Sequence, residues 1–398
     1  MGARTLPDRP EQPAPAETEA QAVEGYRDPV EPLMPSDEVQ KILLSTPARF
    51  TGEFLHPDLL LTHAWPPFHR GRRDWLHHQD SPIGRTAVVM VFRTPPVRKA
   101  PGVVVPNYER AGEHVAAALS VLFGKRFDVH GPLEMSGRFG VPDMTRFAAP
   151  VNPALPYNGG RPRVDHPVPL QLSEVRRVSG LLLGQDIDED SHATFHGAAA
   201  FYRRALQSAE DDPEVAYLHL ITAGEILSAS IPFDEARHLD DEVRGILSTV
   251  AGMPGGARMA RILLARLRGI KKRFVDAITG LVDETFFDRT EATEGFGALR
   301  REDFARRIAA AYDLRSQHVH TGYEFGGWIA ADRFGFEVQV GDPVVGHREM
   351  AKVLKWAPLF AGLERVIRYA LLNHSTGAGL DLDELPELER CTVEAGQG

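Results

Sequence analysis

The stretch YDLRSQHVHTGYEF, residues 312–325, places Arg315, His318 and His320 within six positions of one another. A guanidinium stays cationic and pairs with phosphate or carboxylate oxygens, whereas an imidazole takes or delivers a proton near neutral pH. These residue types could therefore bind an anion and move a proton on it. The structural alternative is that they are there because cations stabilise a helix C-terminus and bond to its last carbonyls.

A helix is predicted to carry these residues. In the segment REDFARRIAAAYDLRS the apolar residues recur at helical spacing, and the residues concerned are Phe304, Ile308, Ala311 and Leu314. Gly322 follows, and glycine is the usual residue just past a helix C-terminus because it enters the left-handed region without strain. Arg315, His318 and His320 should then lie in the last turns of this helix.

Spacing sets a constraint on how Arg315 and His320 could act together. Five residues along an ideal helix turn through roughly 140°, so these two side chains do not share one face. They can converge if the helix unwinds near Gly322, or if two copies of the chain meet. His318 does share the face of Arg315, as a second proton carrier or only as a spacer.

A carboxylate is predicted on another helix, EVAYLHLITAGEILSAS, which begins after Pro213. Leu218, Ile221 and Glu225 are spaced by three and four, which places Glu225 in line with an apolar stripe. A carboxylate there must find a donor or take up a proton. It is either a group of the site or a structural, half-buried Glu paired with an Arg.

The segment GGARMARILLARLRGIKKRFVDAITGLV is predicted to form one long amphipathic helix. Its apolar side comprises Leu263, Leu267, Phe274 and Ile278. Its basic stripe comprises Arg258, Arg261, Arg268 and Lys272. Such a stripe is either a solvated face or the footprint that phosphates require.

Composition and charge limit the classes of protein to which this chain can belong. The chain has 398 residues, 43% of them hydrophobic, and a single cysteine, Cys391, which excludes an intramolecular disulfide and a cysteine-rich zinc site. No apolar run approaches the length of a membrane span, so we expect a soluble cytoplasmic protein without a membrane partner. Residues 1–38 hold nine acidic and three basic residues, and residues 376–398 hold six and one. The acidity thus belongs to the two ends, and a polyanionic partner is not excluded.

The expected fold class is α+β, with a small α/β domain followed by an all-α helical bundle. Residues 1–38 are Pro- and Glu-rich and predicted to be disordered, and residues 376–398 form an acidic C-terminal tail. In the domain at 39–190, TAVVMVFR and GVVVP are predicted strands, and a helix is predicted from a cap at Asn107 to an end at Gly124. Residues 191–375 are predicted to be helical.

The order of these pieces resembles the HEPN superfamily, and within it the ApeA-like branch. The resemblance covers roughly residues 192–375 and depends on YLHLITAGEIL, the basic helix, YDLRSQHVHTG and VLKWAPLFAGLERVIRYALL. Its most specific element is the Arg-x4-His signature, Arg315 to His320, followed by Thr-Gly. The residue after the Arg is Ser316, where many active members carry Asn, Asp or His.

The resemblance implies an endoribonuclease that needs no metal or other cofactor. HEPN ribonucleases use the 2′-hydroxyl of the RNA to attack the adjacent phosphorus, which leaves a 2′,3′-cyclic phosphate and a 5′-hydroxyl. It implies Arg315 and His320 as catalytic residues, Glu225 as a supporting carboxylate that faces the cleft, and a homodimer with a composite cleft. His318, which shares the helical face of Arg315, is a further catalytic candidate. It also implies a role in bacterial anti-phage defence by abortive infection, with residues 39–190 as a sensor or regulatory module.

Two alternatives remain at this level. Many HEPN domains are catalytically inactive RNA-binding or protein-interaction modules, and a catalytic pair looks like a capped helix end in sequence. HVHTGYE also fits the H-x-H-x3-E core of a cupin metal site, with His318, His320, Glu324 and His347 as ligands and FGFEVQV as a strand. The helical residues before His318 oppose the cupin interpretation.

Overall fold

The N-terminal part is built on a six-stranded antiparallel sheet in the order β2-β3-β4-β1-β5-β6. The computed structural model describes residues 38–64, 84–96, 106–135, 138–184, 187–234, 239, 241–266, 269–330 and 335–382. The strands are β1 (Glu38–Thr46), β2 (Phe54–His56), β3 (Leu59–His63), β4 (Thr86–Thr94), β5 (Asp128–Met135) and β6 (Arg138–Phe139). The predicted strand TAVVMVFR is thereby confirmed as β4, whereas GVVVP lies almost entirely outside the described residues.

The central strand β1 pairs along its whole length with β4, from Glu38 opposite Thr94 to Thr46 opposite Thr86. Its sequence EVQKILLST was not predicted as a strand. It is buried on both faces at Ile42, Leu43 and Leu44, so it lacks the alternation that marks a half-exposed strand.

Helix α1 (Glu109–Phe123) packs across this sheet. Gly112 lets it approach closely, because a Cβ at that position would lie 2.9 Å from Cγ2 of Ile42. The helix ends as predicted at Gly124, whose φ is 61°. Its N-cap is Tyr108 and not Asn107, although the Asn107 side chain accepts a hydrogen bond from the Glu109 amide at 2.9 Å.

The chain is mainly helical after α1 and the last strands. The remaining helices are α2 (Thr145–Ala148), α3 (Ser179–Leu183), α4 (Glu189–Ser208), α5 (Pro213–Ser230), α6 (Asp241–Ala251), α7 (Gly256–Arg266), α8 (Ile270–Leu281), α9 (Glu284–Asp288), α10 (Phe304–Thr321), α11 (Gly326–Ile329), α12 (Arg348–Trp356) and α13 (Phe360–Thr376). Helices α5, α8, α10 and α13 pack on one another. The predicted helices in α4, α5 and α10 are confirmed.

The single long basic helix was a wrong prediction. Helix α7 ends at Arg266 and α8 begins at Ile270, because Gly269 has a ψ of 67° and leaves the helical region. Phe274 and Ile278 are fully buried as predicted, but Leu263 is 43% exposed and belongs to no apolar core. Leu267 and Arg268 lie outside the described residues.

A buried charge network joins the last helix to the loop at 151–171. Arg163 pairs with Glu364 at 2.6 Å, and Arg368 pairs with Asp165 at 2.9 Å. All four side chains are 2% exposed or less. One hydrophobic cluster runs from Ile42 of β1 to Leu380, through both the predicted α/β part and the predicted helical part. The boundary near residue 190 stays a prediction.

Residues 1–37 and 383–398 of the predicted tails lie outside the described residues. Glu38 is already the first residue of β1, Thr376 is the last residue of α13, and Leu380 is buried in the core, so the described ends of both predicted tails belong to the fold. Among the described helices, none is both long and apolar enough to cross a membrane.

Candidate functional site

Helix α10 positions the candidate residues near its C-terminal end. The four apolar residues predicted to face the core, Phe304, Ile308, Ala311 and Leu314, are all buried. The helix stays regular through Thr321 and ends at Gly322, whose φ of 69° is in the left-handed region and whose amide donates to the His318 carbonyl at 2.8 Å. The predicted end of the helix is confirmed, and unwinding before Gly322 does not occur.

Arg315 and Glu225 meet between α10 and α5. An Nη2 to Oε2 distance of 3.6 Å joins them, with 31% of the arginine side chain and 24% of the glutamate side chain exposed. The Tyr312 hydroxyl donates to the other carboxylate oxygen, Oε1, at 3.0 Å. Glu225 therefore has one hydrogen-bond donor, Tyr312, and one cation, Arg315, which lies within ion-pair distance.

Tyr312 contacts both Glu225 and Arg315. Its ring packs against Phe274 of α8 at 5.3 Å between centroids, and the Arg315 guanidinium lies 5.8 Å from its centroid. Burial, and then the charge of Glu225 and the hydrogen bond to it, raise the pKa of Tyr312 above its ordinary value. The phenol is therefore a neutral donor at neutral pH, which orients Glu225 toward Arg315.

His318 lies on the Arg315 face of the helix but has a structural partner. Its Nδ1 donates to the Tyr323 carbonyl at 2.9 Å, and its ring meets Phe325 edge-on at 5.3 Å between centroids. This contact closes the turn after α10. Only Nε2 remains available for exchange with a ligand.

His320 faces solvent. Its ring is exposed and makes no hydrogen bond or ion pair with any residue that the structure describes. Since α10 is regular between Arg315 and His320, the two side chains of one chain diverge by roughly 140°. The first route to convergence, unwinding of the helix before Gly322, is not seen, and the meeting of two copies stays a prediction.

The cupin interpretation was wrong. His318 and His320 lie on a helix and not on strands, and within the described part of the chain no three His, Cys, Asp or Glu side chains converge as metal ligands. His347 instead caps α12, where its Nδ1 accepts from the Met350 amide at 3.2 Å. In the described part of the predicted strand FGFEVQV, from residue 335 on, the only β-bridge joins Val338 to Pro358.

The basic stripe is divided by the break between α7 and α8. Arg258 and Arg261 are exposed on α7, which packs against α6, and Lys272 is exposed on α8, which packs against α10. Lys271 pairs with Asp313 of α10 at 2.6 Å, so α8 is attached to the site helix on its basic side. Arg268 lies outside the described residues.

The loop after α10 is fixed to the start of α5. The Glu214 carboxylate accepts from the amides of Phe325 and Gly326. An open pocket of about 490 Å³ lies there, and its polar walls include Asp211, Asp212, Glu214 and Glu324. Four carboxylates repel a phosphate, so an anionic substrate would have to approach α10 from another side.

The sequence reasoning missed Tyr312 and Glu214. Tyr312 had a signal, because it lies three residues before Arg315 and therefore on a neighbouring part of the same face. Glu214 had none beyond its place in the first turn of α5, since its partners are backbone amides more than a hundred residues away.

Comparison with known proteins found no relative: no family model, no curated protein and no solved structure matches this chain.

Proposed function

We propose that this protein is a metal-independent endoribonuclease of the HEPN type, acting as a homodimer. The Arg-x4-His signature and the order of helices around it are the basis of the family proposal. The arrangement of side chains near the end of α10 is the basis of the proposed chemistry.

One observation carries the proposal. Near the end of one helix, an arginine is held by a carboxylate and remains 31% exposed, and five residues further on a histidine is exposed and unpaired within the described part of the chain. A residue kept only to stabilise a helix C-terminus would bond to the last carbonyls. His318 does bond to a carbonyl, but Arg315 and His320 have no such contact among the described residues.

The chemistry follows from these residue types. The His320 imidazole takes the proton of the 2′-hydroxyl as its oxygen attacks the adjacent phosphorus, and an imidazolium returns a proton to the departing 5′-oxygen. Arg315 pairs with the phosphate oxygens as negative charge builds in the transition state. Glu225 holds the guanidinium and contacts neither the nucleophile nor the leaving group, so it is a positioning residue.

A dimer is needed because one helix cannot aim both groups at one phosphodiester. In the proposed composite cleft, two α10 ends face each other, and each supplies an Arg315 and a His320. Arg258, Arg261, Arg268 and Lys272 would then contact the RNA backbone outside the cleft. Residues 39–190 would regulate the cleft, within the defence role that the resemblance implies.

A binding module without catalysis is the second candidate function. It is favoured by the ion pair between Glu225 and Arg315, which already neutralises the cation that a phosphate would need, and by the carbonyl bond of His318. Such a module would bind RNA or a protein and leave it intact.

The deciding experiment incubates the purified full chain with mixed cellular RNA in EDTA, beside His320→Ala and a control, His56→Ala on β2. We expect 2′,3′-cyclic phosphate and 5′-hydroxyl ends from the parent and the control, and a loss of activity of about a hundredfold or more in His320→Ala. Circular dichroism and sedimentation should give the same fold and dimer for all three.

Other outcomes discriminate among the candidates. RNA binding without cleavage, unchanged by added Mg²⁺ or Mn²⁺, would favour the binding module. Cleavage by His320→Ala at the parent rate would exclude His320 as the proton carrier, and unfolding of that variant would make the histidine structural.

A further inference from the structure

Helices α6 and α7 form a hairpin, residues 241–266, with an apolar surface that no other described part of the chain covers. The two helices pack on each other, and neither packs extensively against any other helix or strand that the structure describes. No residue of α6 is buried. Five large apolar side chains of the hairpin are between 43% and 55% exposed, namely Ile246, Met253, Met259, Ile262 and Leu263.

Three of these residues form a stripe on α7. Met259, Ile262 and Leu263 are spaced by three and four positions, which places them on one face of the helix. A stripe of this kind normally packs on a core. Where it is exposed on a folded protein, it marks a surface that binds a partner.

The surroundings of the stripe are basic. Residues 241–273, which comprise the hairpin and the start of α8, contain eight basic and two acidic residues in a chain whose formal net charge is −10. Arg258 and Arg261 are exposed on α7. Arg258 is in the first turn of that helix, where a cation opposes the helix dipole. An occupant of this surface should therefore be acidic as well as apolar.

Residues 383–398, which lie outside the described part of the chain, have this composition. They contain five acidic residues and one basic residue. Leucines and glutamates are interleaved at the start of this C-terminal segment, namely Glu384, Leu385, Glu387, Leu388 and Glu389. The backbone of an RNA would match the charge of the hairpin, but its phosphates and sugars offer no partner for methionine, isoleucine and leucine side chains.

The C-terminal segment is long enough to reach the hairpin. His374 on α13 lies with its Nε2 2.9 Å from the hydroxyl of Ser230 at the end of α5, and Arg273 of α8 donates to the neighbouring Ala229 carbonyl at 2.6 Å. Leu382 follows His374 by eight residues, so it lies within about 30 Å of it. The end of α7 is seven residues before Arg273, within about 25 Å. The sixteen residues after Leu382 can span about 55 Å.

We propose that residues 383–398 bind the exposed surface of the α6–α7 hairpin. Leu385 and Leu388 cover the apolar stripe of α7, and the neighbouring glutamates pair with Arg258 and Arg261 beside it. Exposed ion pairs are weak one by one and are screened by salt, so the apolar contact supplies most of the affinity and the charges select the segment. Because both partners belong to one chain, the effective concentration of the segment is high.

A consequence for RNA rests on the proposed function. Arg258 and Arg261 belong to the basic stripe that is proposed to contact the RNA backbone, so the bound acidic segment competes with phosphates for them. The segment thus weakens RNA binding without contacting Arg315 or His320. Its release should raise the affinity for RNA and leave the chemistry of cleavage unchanged.

The test uses the full chain labelled at Cys391, its single cysteine, which lies in the segment. The label is a fluorophore whose emission shifts to the blue in apolar surroundings. We expect a blue shift relative to the labelled peptide 383–398 alone, independent of protein concentration because the contact is within one chain. The double variant Met259→Ser/Ile262→Ser should lose the shift, and Val344→Ser, at an 88% exposed position before α12, should keep it.

A second measurement tests the competition with RNA. The triple variant Glu384→Gln/Glu387→Gln/Glu389→Gln removes three negative charges from the segment in the full chain. An RNA with 2′-O-methyl groups serves as the ligand, since it cannot be cleaved through its 2′-oxygen. We expect the triple variant to bind it about three- to tenfold more tightly than the parent at low salt, with the difference lost at high salt.

Two results would overturn the docking proposal. One is an emission of the parent equal to that of the peptide alone, and the other is a blue shift that persists in Met259→Ser/Ile262→Ser. If the first result came with a dimer in sedimentation that Met259→Ser/Ile262→Ser loses, a second copy would be the occupant of the surface.

The remaining outcomes separate docking from the proposed function. A blue shift without any change in RNA affinity in the triple variant would refute regulation of RNA binding by the segment. A blue shift in a chain that produces no cyclic phosphate ends would refute the ribonuclease proposal and support the docking.

Discussion

At the residue scale, Glu225 is the group whose role differs most between the candidate functions. In a ribonuclease site Glu225 holds Arg315 in place, whereas in a protein without catalysis it only neutralises the charge of Arg315. Because Tyr312 donates to Oε1 and Arg315 approaches Oε2, a glutamine could keep the first contact and lose the charge of the second.

We predict that Glu225→Gln binds RNA more tightly and cuts it more slowly. Removing the carboxylate charge frees the Arg315 guanidinium for phosphate and also removes the group that orients it, so KM should fall and kcat should fall about tenfold. Steady-state cleavage of a labelled RNA measures both, with Glu242→Gln on α6 as the control. Unchanged kcat and KM would remove Glu225 from the site.

Lys125 is a second residue with a measurable consequence. It is 1% exposed, its Nζ donates to the Pro156 carbonyl, and it lies near Arg163 and Arg368. Burial, and then the charge of Arg163, lower the pKa of Lys125 from 10.5 to about 7. The unfolded chain therefore keeps a proton between pH 7 and 10.5 that the folded chain has lost, so this lysine destabilises the fold most below pH 7.

We predict that Lys125→Met is more stable than the parent at pH 6, by up to about 5 kcal/mol less the lost hydrogen bond, and that this gain shrinks as the pH approaches 10. Urea denaturation at pH 6 and pH 9 measures the difference. Lys352→Met, on the exposed face of α12, should show no such trend. A variant less stable than the parent at both pH values would mean that the bond to Pro156 outweighs the burial of the charge.

At the scale of elements, the close packing of α5 explains why its sequence contains Gly224. A Cβ there would lie 2.6 Å from the Phe274 ring of α8 and 3.0 Å from Cδ1 of Ile367 on α13. The glycine thus sets the distance between three helices beneath the Arg315 group.

We predict that Gly224→Ala destabilises the protein by about 1–3 kcal/mol, because the ring of Phe274 must shift in a packed core. The matched control is Gly280→Ala on α8, where a Cβ meets nothing within 4 Å. That substitution should be neutral or stabilising by up to about 1 kcal/mol, since alanine is the better helix former. Equal changes in the free energy of unfolding in the two variants would show that helix propensity, and not packing against Phe274, determines the effect of alanine at position 224.

The elements that the sequence could predict are those with a strong period or a clear stop. Helix α10 had four core residues at helical spacing and Gly322 at its end, and α1 likewise ended at Gly124. Strand β1 could not be predicted from its pattern, because Ile42, Leu43 and Leu44 are buried in succession. The break at Gly269 was masked by the surrounding amphipathic pattern.

The candidate site was predictable in its residue types and not in its contacts. The spacing from Arg315 to His320 could be converted into an angle, but the ion pair of Arg315 with Glu225 joins residues ninety positions apart.

At the scale of the whole molecule, acid should destabilise the fold in two stages. Burial is the leading cause that lowers the pKa of seven histidines below the ordinary 6.5, namely His63, His114, His130, His166, His196, His219 and His374. The unfolded chain binds protons at these rings before the folded chain does, so the stability that their neutral state contributes is complete above pH 6.5 and is lost as the pH falls below 6.5 toward the folded pKa of each ring. Burial acts to raise the pKa values of Asp128 and Asp165, but nearby arginines outweigh it and lower both. The stability that these ionised carboxylates contribute is therefore lost only below the pH range in which the histidines titrate.

We predict that the urea concentration at the midpoint of denaturation decreases as the pH is lowered from 7 to 5. His196 alone can account for up to about 3 kcal/mol of the change down to its folded pKa of about 4. His196→Gln should flatten this dependence. A midpoint constant from pH 7 to pH 5 would contradict the neutral, buried state of these rings.

The charge pairs of α13 with the 151–171 loop also bear on the ancestry of the chain. Arg163 and Glu364 are separated by 201 positions, and Asp165 and Arg368 by 203. A recombination event near residue 190 would transfer one member of each pair without the other and leave a buried charge unmatched in the hybrid. We therefore expect related proteins to retain or replace both members of a pair at once.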